Sequence, residues 1–596
     1  MKRRVADIIM DCLIERGIVD CFAVTGGGAM FIDNALYHCH KMTKYFNHHE
    51  QACAMAAEAY ARATGKLALV SVTSGPGGTN TLTGVMGAYV DSLPLIVISG
   101  QVRYEVSVPK SGLKLRTRAI QEFNIVDTVK TMTKYSKLVT NPYDIKMEIN
   151  KAIDISLSGR MGPVWLDIPQ DVQSAVIDTE KLTENVVVKN DEYSVNLEDI
   201  FDELSRSNRP VLLAGAGVSV TNSSELLYKV AEKYHLPIIS SFNATDVTYQ
   251  DGDLSFGSIG PCGQRSSNII IQNSDLIISL GCSLGFSTTG FAQEEFAKHS
   301  KIISVDIDEE EQKKPGIKIY KKIKCDLRFF LKSLYYKPHF LEKKVEWLDY
   351  CNRIKTMFSP YAGAEGKNGH DRVCSYIFWK HFFDMANNDA LLVLGNNTAI
   401  TSVIQTGKRK KNQHIYANFN CGSMGYDLPA AIGVAVAKNE TVFLATGDGS
   451  IMMNLQELQT IHHYKLPIKI ILFENQGYNA IRQTSKNFFN GELIGCTPET
   501  GVSFPSFKDV FKTFGFSYLV CESNSDVKKC LEEFFASDNM TVLEVREFLD
   551  DPVIPKVMSR TDVDGKLLSP ALHDMYPFLD KEELKNLMIS EYKFYD

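Results

Sequence analysis

A carboxylate stands between two glycines at Gly447-Asp448-Gly449, and Asn475 follows after 25 intervening residues. The Asp448 carboxylate and the Asn475 amide are hard oxygen donors. A main-chain carbonyl at Gly477 would be a third. Such a set suits Mg²⁺, which keeps waters and phosphate oxygens as its remaining ligands. Asp448, Asn475 and Gly477 are therefore the candidate metal ligands. Gly-Asp-Gly alone is more often a plain turn, since both residue types form turns readily. The asparagine at this distance tips the balance.

The flanking elements would bring these residues together. The run from Thr441 to Ala445 reads as a buried strand, 451–464 as a helix, and 466–473 as the next strand. In such a βαβ unit the two strands are parallel and the crossover is right-handed. Asp448 and Asn475 then lie just past the carboxyl ends of neighbouring strands, where open α/β sheets bind ligands. Gly447 and Gly449 allow close backbone approach, and a helix beginning at Ser450 offers free N–H groups to a phosphate.

The same alternation of apolar strand, glycine turn and helix recurs along the chain. At 596 residues the chain is too long for one hydrophobic core. The expected fold is α/β, with three doubly wound parallel-sheet domains over residues 1–176, 197–334 and 371–548 and a C-terminal tail over 549–596. Strands that are apolar throughout belong in parallel sheets covered on both faces. A net charge of -7 with no long basic block argues against nucleic-acid binding. No run of about 18 apolar residues calls for a membrane span. The 13 cysteines show no paired CxxC spacing, which points to a reducing, cytoplasmic setting.

Gly447-Asp448-Gly449 with Asn475 resembles the thiamine-diphosphate (ThDP) motif, and more of the chain resembles the acetolactate synthase-like members of that family. The motif usually ends in two asparagines; here Glu474 replaces the first. The segment from Gly422 to Gly433 is similar to the one whose methionine, here Met424, props the cofactor in a bent shape. Gly395-Asn396-Asn397-Thr398 matches a short polar loop on the diphosphate. The resemblance also places Gly422, Gly447, Gly449, Ser450, Ala480 and Ile481 against the cofactor. In the first segment, Glu50 matches the acid that hydrogen-bonds the aminopyrimidine ring, a role that calls for a buried carboxyl group. Thr25, Gly26, Gly75 and Asn80 fall in matching cofactor-binding stretches. His48, His49 or Gln121 could relay protons during the reaction, and Glu50, His49 and Gln121 are the catalytic candidates.

The resemblance implies ThDP, Mg²⁺ and FAD as cofactors. It also implies a homodimer or homotetramer whose site lies between subunits. Gly215, Gly217, Gly260 and Asp306 occupy the places where acetolactate synthases hold FAD. Read without the resemblance, Gly215-Ala216-Gly217 is a weak nucleotide signal, because Val220 stands where a third glycine is needed.

Departures from the family bear on the substrate. Ser283 and Ser287 stand where the family has arginines, one of which clamps a second 2-oxo acid. Serine cannot make the bidentate pair of a guanidinium with a carboxylate. Ala480 and Thr484 replace a bulky Met and Trp, and Ile120 replaces a Phe. The expectation is decarboxylation of pyruvate and transfer of its two-carbon unit to a large acceptor ketone. In character this is similar to the ThDP- and FAD-dependent synthases acting on a CDP-4-keto-3,6-dideoxyhexose in yersiniose-type branched-sugar pathways. The alternatives are an acetolactate synthase, a pyruvate oxidase or a catalytically silent subunit of the same fold.

Overall fold

The computed structural model of the chain describes residues 1–184, 192–249, 252–367, 371–396, 398–407, 409–561 and 567–592. Asn397 lies outside them, and the side chain of Thr398 is likewise not described.

Three parallel six-stranded sheets organise the molecule. The first comprises Asp20–Ala23, Thr43–Phe46, Leu69–Val72, Leu95–Gln101, Tyr135–Leu138 and Pro163–Pro169. Numbered in chain order, its strands lie side by side as 2-1-3-4-6-5. The third sheet repeats that order with Leu391–Leu394, His414–Tyr416, Val442–Gly447, Ile468–Glu474, Ser517–Cys521 and Thr541–Arg546. The central sheet differs. Its strands Pro210–Ala214, Ile238–Ser241, Ser255–Ile259, Leu276–Leu280, Lys301–Asp306 and Lys321–Lys324 run 3-2-1-4-5-6, the dinucleotide-binding arrangement. Runs such as Ile96-Val97-Ile98 and Ile470-Ile471-Leu472 are fully buried, as strands covered on both faces must be.

The first and third domains share one core. The alanine-rich helix Glu50–Thr64 packs on helix Asp427–Lys438. A Cβ at Gly433 would lie only 2.0 Å from the main-chain oxygen of Ala56, so the helices touch backbone to backbone. Polar clasps reinforce the contact. Asn47 Nδ2 donates to Glu457 (2.9 Å), Asn454 Nδ2 donates to Gln51 Oε1 (3.0 Å), and the Tyr426 hydroxyl donates to buried Glu58.

The helix expected over 451–464 is in fact two. A single turn, Asp448–Ile451, precedes helix Glu457–Tyr464. Asn454 sits in the break, buried, and its amide also donates to Gly425 O (2.7 Å). A buried amide must be satisfied, and bonding to neighbouring segments here replaces a continuous helix.

The tail lies back on the central domain of its own chain. Helix Arg265–Asn273 is buried along its length, polar residues included. Asn268 donates to Leu572 O (3.1 Å), Asn273 to Leu587 O (3.1 Å) and Arg265 to Met575 O (3.3 Å). Among the described residues no helix is long and apolar enough to cross a membrane.

Gly433→Val should force the Glu50–Thr64 and Asp427–Lys438 helices apart at a cost of about 1–3 kcal/mol. A lowered thermal midpoint would show it; an unchanged midpoint would contradict the backbone contact.

Candidate functional site

In the third domain four loops meet at the carboxyl ends of neighbouring strands. Asp448 follows Val442–Gly447, and the turn 475–478 follows Ile468–Glu474. Gly447 pairs with Phe473 across the two strands, which sets the loops level with each other. Asp448 is buried, and three main-chain N–H groups donate to its carboxylate. They come from Gly449 (2.7 Å), Asn475 (3.0 Å) and Gly477 (3.2 Å). Burial still pushes the carboxyl up to about 6, against the pull of those N–H groups.

The Asn475 amide is held from both sides. Its Oδ1 accepts from Arg482 Nη2 (3.1 Å), and its Nδ2 donates to Glu547 Oε2 (2.8 Å). Glu547 is buried, and its Oε1 has no partner. Burial raises its carboxyl well above the usual range, and the charges of Asp551 and Asp448 add to the rise. Glu474, the motif's departure, accepts from Arg372 (2.7 Å) and points to an ion pair on the rim.

The cradle around this turn is shaped by missing side chains. A Cβ at Gly449 would lie 2.2 Å from the Tyr478 ring and 3.4 Å from the Met424 methyl. One at Gly395 would lie 2.2 Å from Asp427 Oδ2. Gly477 has φ +149, and a Cβ there would meet Cys496 O at 1.9 Å. Ser450 Oγ accepts from Gly425 N (2.9 Å), and Asn396 Nδ2 donates to Asn418 Oδ1 and Ser423 O (both 2.8 Å). Gly422, with φ +61, ends the same loop. Gly395, Asn396, Met424, Gly447, Gly449 and Ser450 thus lie on the loops that surround Asp448 and Asn475, with Gly422 on the same loop as Met424. Ala480 and Ile481 lie farther along, exposed on helix Asn479–Phe488.

The oxygen-rich donor set fits a hard divalent cation. Two buried carboxyls have raised pKa values, that of Glu547 despite the charge of Arg482, and among the described residues Glu547 Oε1 lacks a hydrogen-bond partner. Among the described residues no three His, Cys, Asp or Glu side chains could hold a metal by themselves. A cation would therefore need the amide, the main chain and phosphate oxygens, as Mg²⁺ does.

In the first domain the candidates also gather at strand ends. Glu50 opens helix Glu50–Thr64, and its Oε2 accepts from Asn80 Nδ2 (2.9 Å). It is half-buried rather than enclosed, because the first residue of a helix sits on the domain's rim. His49 caps the helix, its Nδ1 accepting from Gln51 N (3.1 Å), while His48 is exposed. That role fixes the His49 ring to the backbone. Gly75 has φ +60, and a Cβ there would meet the Gln121 carbonyl at 2.5 Å, so the Gln121 loop lies directly on the Gly75 turn. The Gln121 residue is exposed. Gly26 is wedged on Thr73, with a Cβ position 2.6 Å away, and Thr25 is exposed beside it.

In the central domain a cavity of about 210 Å³ opens between the ends of the first and fourth strands. Gly217, Gly281, Ser283 and Asp306 line it, with Arg160 from the first domain. Gly215 and Gly260 do not line it, contrary to the sequence reading. Their missing Cβ atoms make room for main chain instead, Gly281 O at 2.1 Å and Ser287 O at 2.3 Å. Ser283, Ser287, Ala480, Thr484 and Ile120 are all exposed.

Arg482 and Glu547 went unnoticed in the sequence. Each is an ordinary charged residue by type. The available signals were a basic residue on the helix after Asn475 and an acid just past the final strand.

Three family descriptions match the chain. They are the N-terminal thiamine-pyrophosphate-binding domain over residues 3–127, the central domain over 197–334 and the C-terminal binding domain over 395–545. The probable acetolactate synthase large subunit of Methanocaldococcus jannaschii is 30% identical, covering 91% of each chain. The chain belongs to the thiamine-diphosphate enzymes. Acetolactate synthase isozyme 2 large subunit of Escherichia coli is 29% identical over 94% of this chain and 99% of that one. Acetolactate synthase 1 of Nicotiana tabacum, a chloroplastic protein, is 30% identical over 94% of this chain and 84% of that one. The family gives this chain a ThDP-dependent decarboxylase and carboligase chemistry.

Burial lifts the Asp448 carboxyl from its ordinary 3.8 to about 6, so the fold loses stability as pH rises through about 6, and a bound cation would offset that loss. Metal ligands must be deprotonated, so Mg²⁺-dependent ThDP binding should weaken as pH falls through about 6 and should release protons. Calorimetry in buffers of different ionisation enthalpy measures both; a pH-independent affinity would count against Asp448.

Proposed function

We propose that this enzyme decarboxylates pyruvate and joins the two-carbon unit to a second 2-oxo acid, the reaction named by its acetolactate synthase relatives. The observation that carries this reading is the pairing of two strand-end carboxylates, Glu50 held by Asn80 and Asp448 held by the 475–477 turn. Bound ThDP would supply the carbanion chemistry, and the protein supplies orientation and electrostatics. Asp448, Asn475 and the Gly477 carbonyl would hold Mg²⁺ on the diphosphate. Met424 and Tyr478 would shape the recess around Gly449. Glu50 would hold and exchange a proton with the aminopyrimidine ring, with Asn80 fixing the carboxylate.

Glu50 and Asp448 each take these hydrogen bonds within their own domains. The family resemblance, rather than these bonds, is what implies a site completed between two subunits, in a homodimer or homotetramer. The central cavity, at the strand-order switch of a dinucleotide-type sheet, supports FAD with Gly217 and Asp306 as contacts. Its 210 Å³ suits part of such a molecule, since ligand pockets run to roughly 300–1,000 Å³. Thirteen free cysteines fit a reducing cytoplasm.

One observation favours a second reading of the acceptor. Ser283 and Ser287 leave the 281–290 stretch without an arginine, and Ala480 and Thr484 are small and exposed. A larger ketone without a carboxylate at that spot, such as a nucleotide-linked keto-deoxysugar, would suit those residues.

Mass spectrometry of products from pyruvate alone, and from pyruvate with 2-oxo acids or nucleotide keto sugars, separates the two. Rapid acetolactate formation unaffected by keto sugars supports the first reading; product formed only with a keto sugar supports the second. Oxygen uptake in step with pyruvate consumption would instead mark an oxidase. Glu50→Gln should slow carboligation by about 10²–10⁴-fold. Unchanged turnover in that variant would remove Glu50 from the mechanism.

A further inference from the structure

We propose that Arg482 is the positioning residue of the metal-binding turn, and that it transmits the placement of residues 549–551 to Asn475. The proposal rests on the reading of that turn as a Mg²⁺–ThDP site.

Arg482 is buried, and its guanidinium gathers four oxygens. Nη2, with two hydrogens, faces three acceptors, Leu549 O and the pair Asn475 O (2.9 Å) and Asn475 Oδ1 (3.1 Å), which share one hydrogen, and Nη1 reaches Gln476 O (3.5 Å). Among these partners, the Asn475 side chain is the one assigned above as a metal ligand. An amide oxygen has two lone pairs, so one can accept from Arg482 while the other remains for a cation. Glu547 accepts from the other end of the amide at 2.8 Å. Between them the guanidinium and the carboxylate fix which atom of the amide faces where. Outer-shell partners of this kind orient metal ligands. Gly477 belongs to the same arrangement, because a Cβ there would lie 2.9 Å from Arg482 Nη1.

The link to the tail comes from the geometry of helix Asn479–Phe488. Asn479, Arg482, Gln483 and Lys486 lie on one face, at the three- and four-residue spacings that stack on a helix. All four bind residues 549–551. Asn479 Nδ2 donates to Asp551 O (3.0 Å), and Gln483 Nε2 to Asp550 O (3.4 Å). Lys486 Nζ meets Asp550 Oδ2 (2.7 Å), and Arg482 Nε lies 3.4 Å from Asp550 Oδ1. The Asp551 carboxylate is anchored in turn by Lys367 Nζ, Ser375 N (3.1 Å) and Ser375 Oγ (3.0 Å). Arg482 is the member of this face that touches both the tail and Asn475. A lysine could carry the charge but not the fork that reaches several oxygens at once.

The test is calorimetric titration of Mg²⁺ into the full chain at fixed ThDP, for the unaltered protein and for R482L, R482K and D550A. R482L should weaken Mg²⁺ binding by about 10–100-fold, with R482K restoring part of it. D550A touches no proposed ligand, yet it should weaken binding several-fold, roughly the scale of coupling between linked sites. A purely local structural role would leave D550A unchanged. If R482L does not fold, R482K and D550A decide. Affinity unchanged in both would overturn the proposal. Absence of Mg²⁺–ThDP binding by the unaltered protein would sink the cofactor-site reading itself.

Discussion

Three N–H groups aimed at one buried carboxylate organise the third domain. Gly449, Asn475 and Gly477 donate to Asp448, and they reach it only because two parallel strands end level with each other. Taking a carboxylate out of water is expensive, and three hydrogen bonds return part of that. The remainder shows as a pKa lifted to about 6. Nearby acids deepen the deficit, since Glu547 is buried beside Asn475 with one oxygen unpartnered. The region thus carries more buried acid than its hydrogen bonds compensate, a setting that suits a hard cation. The glycines at 447, 449 and 477 keep the backbone close enough for that compensation.

The first domain uses the same strand order for a different end. Its carboxylate, Glu50, is anchored by a side chain from a neighbouring turn rather than by a ring of N–H groups. It keeps partial contact with water. One module holds a charge in place, and the other keeps an acid accessible. Their helices meet at Ala56 and Gly433, backbone against backbone, so neither module can shift without the other.

The sequence made the sheets legible because parallel strands buried on both faces read as unbroken apolar runs. It made Asp448 and Asn475 legible together, because Gly-Asp-Gly alone reads as a turn and the asparagine after the next strand gives it a partner. Several things were not legible. Glu547 reaches Asn475 across 72 residues, and no local pattern announces a contact of that range. Arg482 looks like any helical surface arginine until the tail covers it. The break at Asn454 is invisible to periodicity, because the partners that justify it, Gly425 and Gln51, belong to distant segments. Gly215 and Gly260 are placed against FAD by the family resemblance alone, and a glycine does not say what approaches it. At both positions it is main chain.

The tail's position has a bearing on how the molecule is made. Helix Arg265–Asn273 buries Asn268, Gln272 and Asn273, and each gains a partner some 300 positions later: Leu572 O for the Asn268 amide, Leu587 O for the Asn273 amide, and the Tyr592 hydroxyl on the Gln272 main-chain oxygen. During synthesis the central domain emerges long before those partners exist. Until residues 572–592 leave the ribosome, those amides keep only their partners within the central domain, such as Gly260 O for Asn268 (2.9 Å), Glu295 O for Gln272 (3.1 Å) and Ile269 O for Asn273 (3.0 Å), and loop closure over such a distance is slow. The tail contacts on the middle domain therefore form late. They wait on residues 572–592, whereas each of the three sheets is built from strands of its own segment.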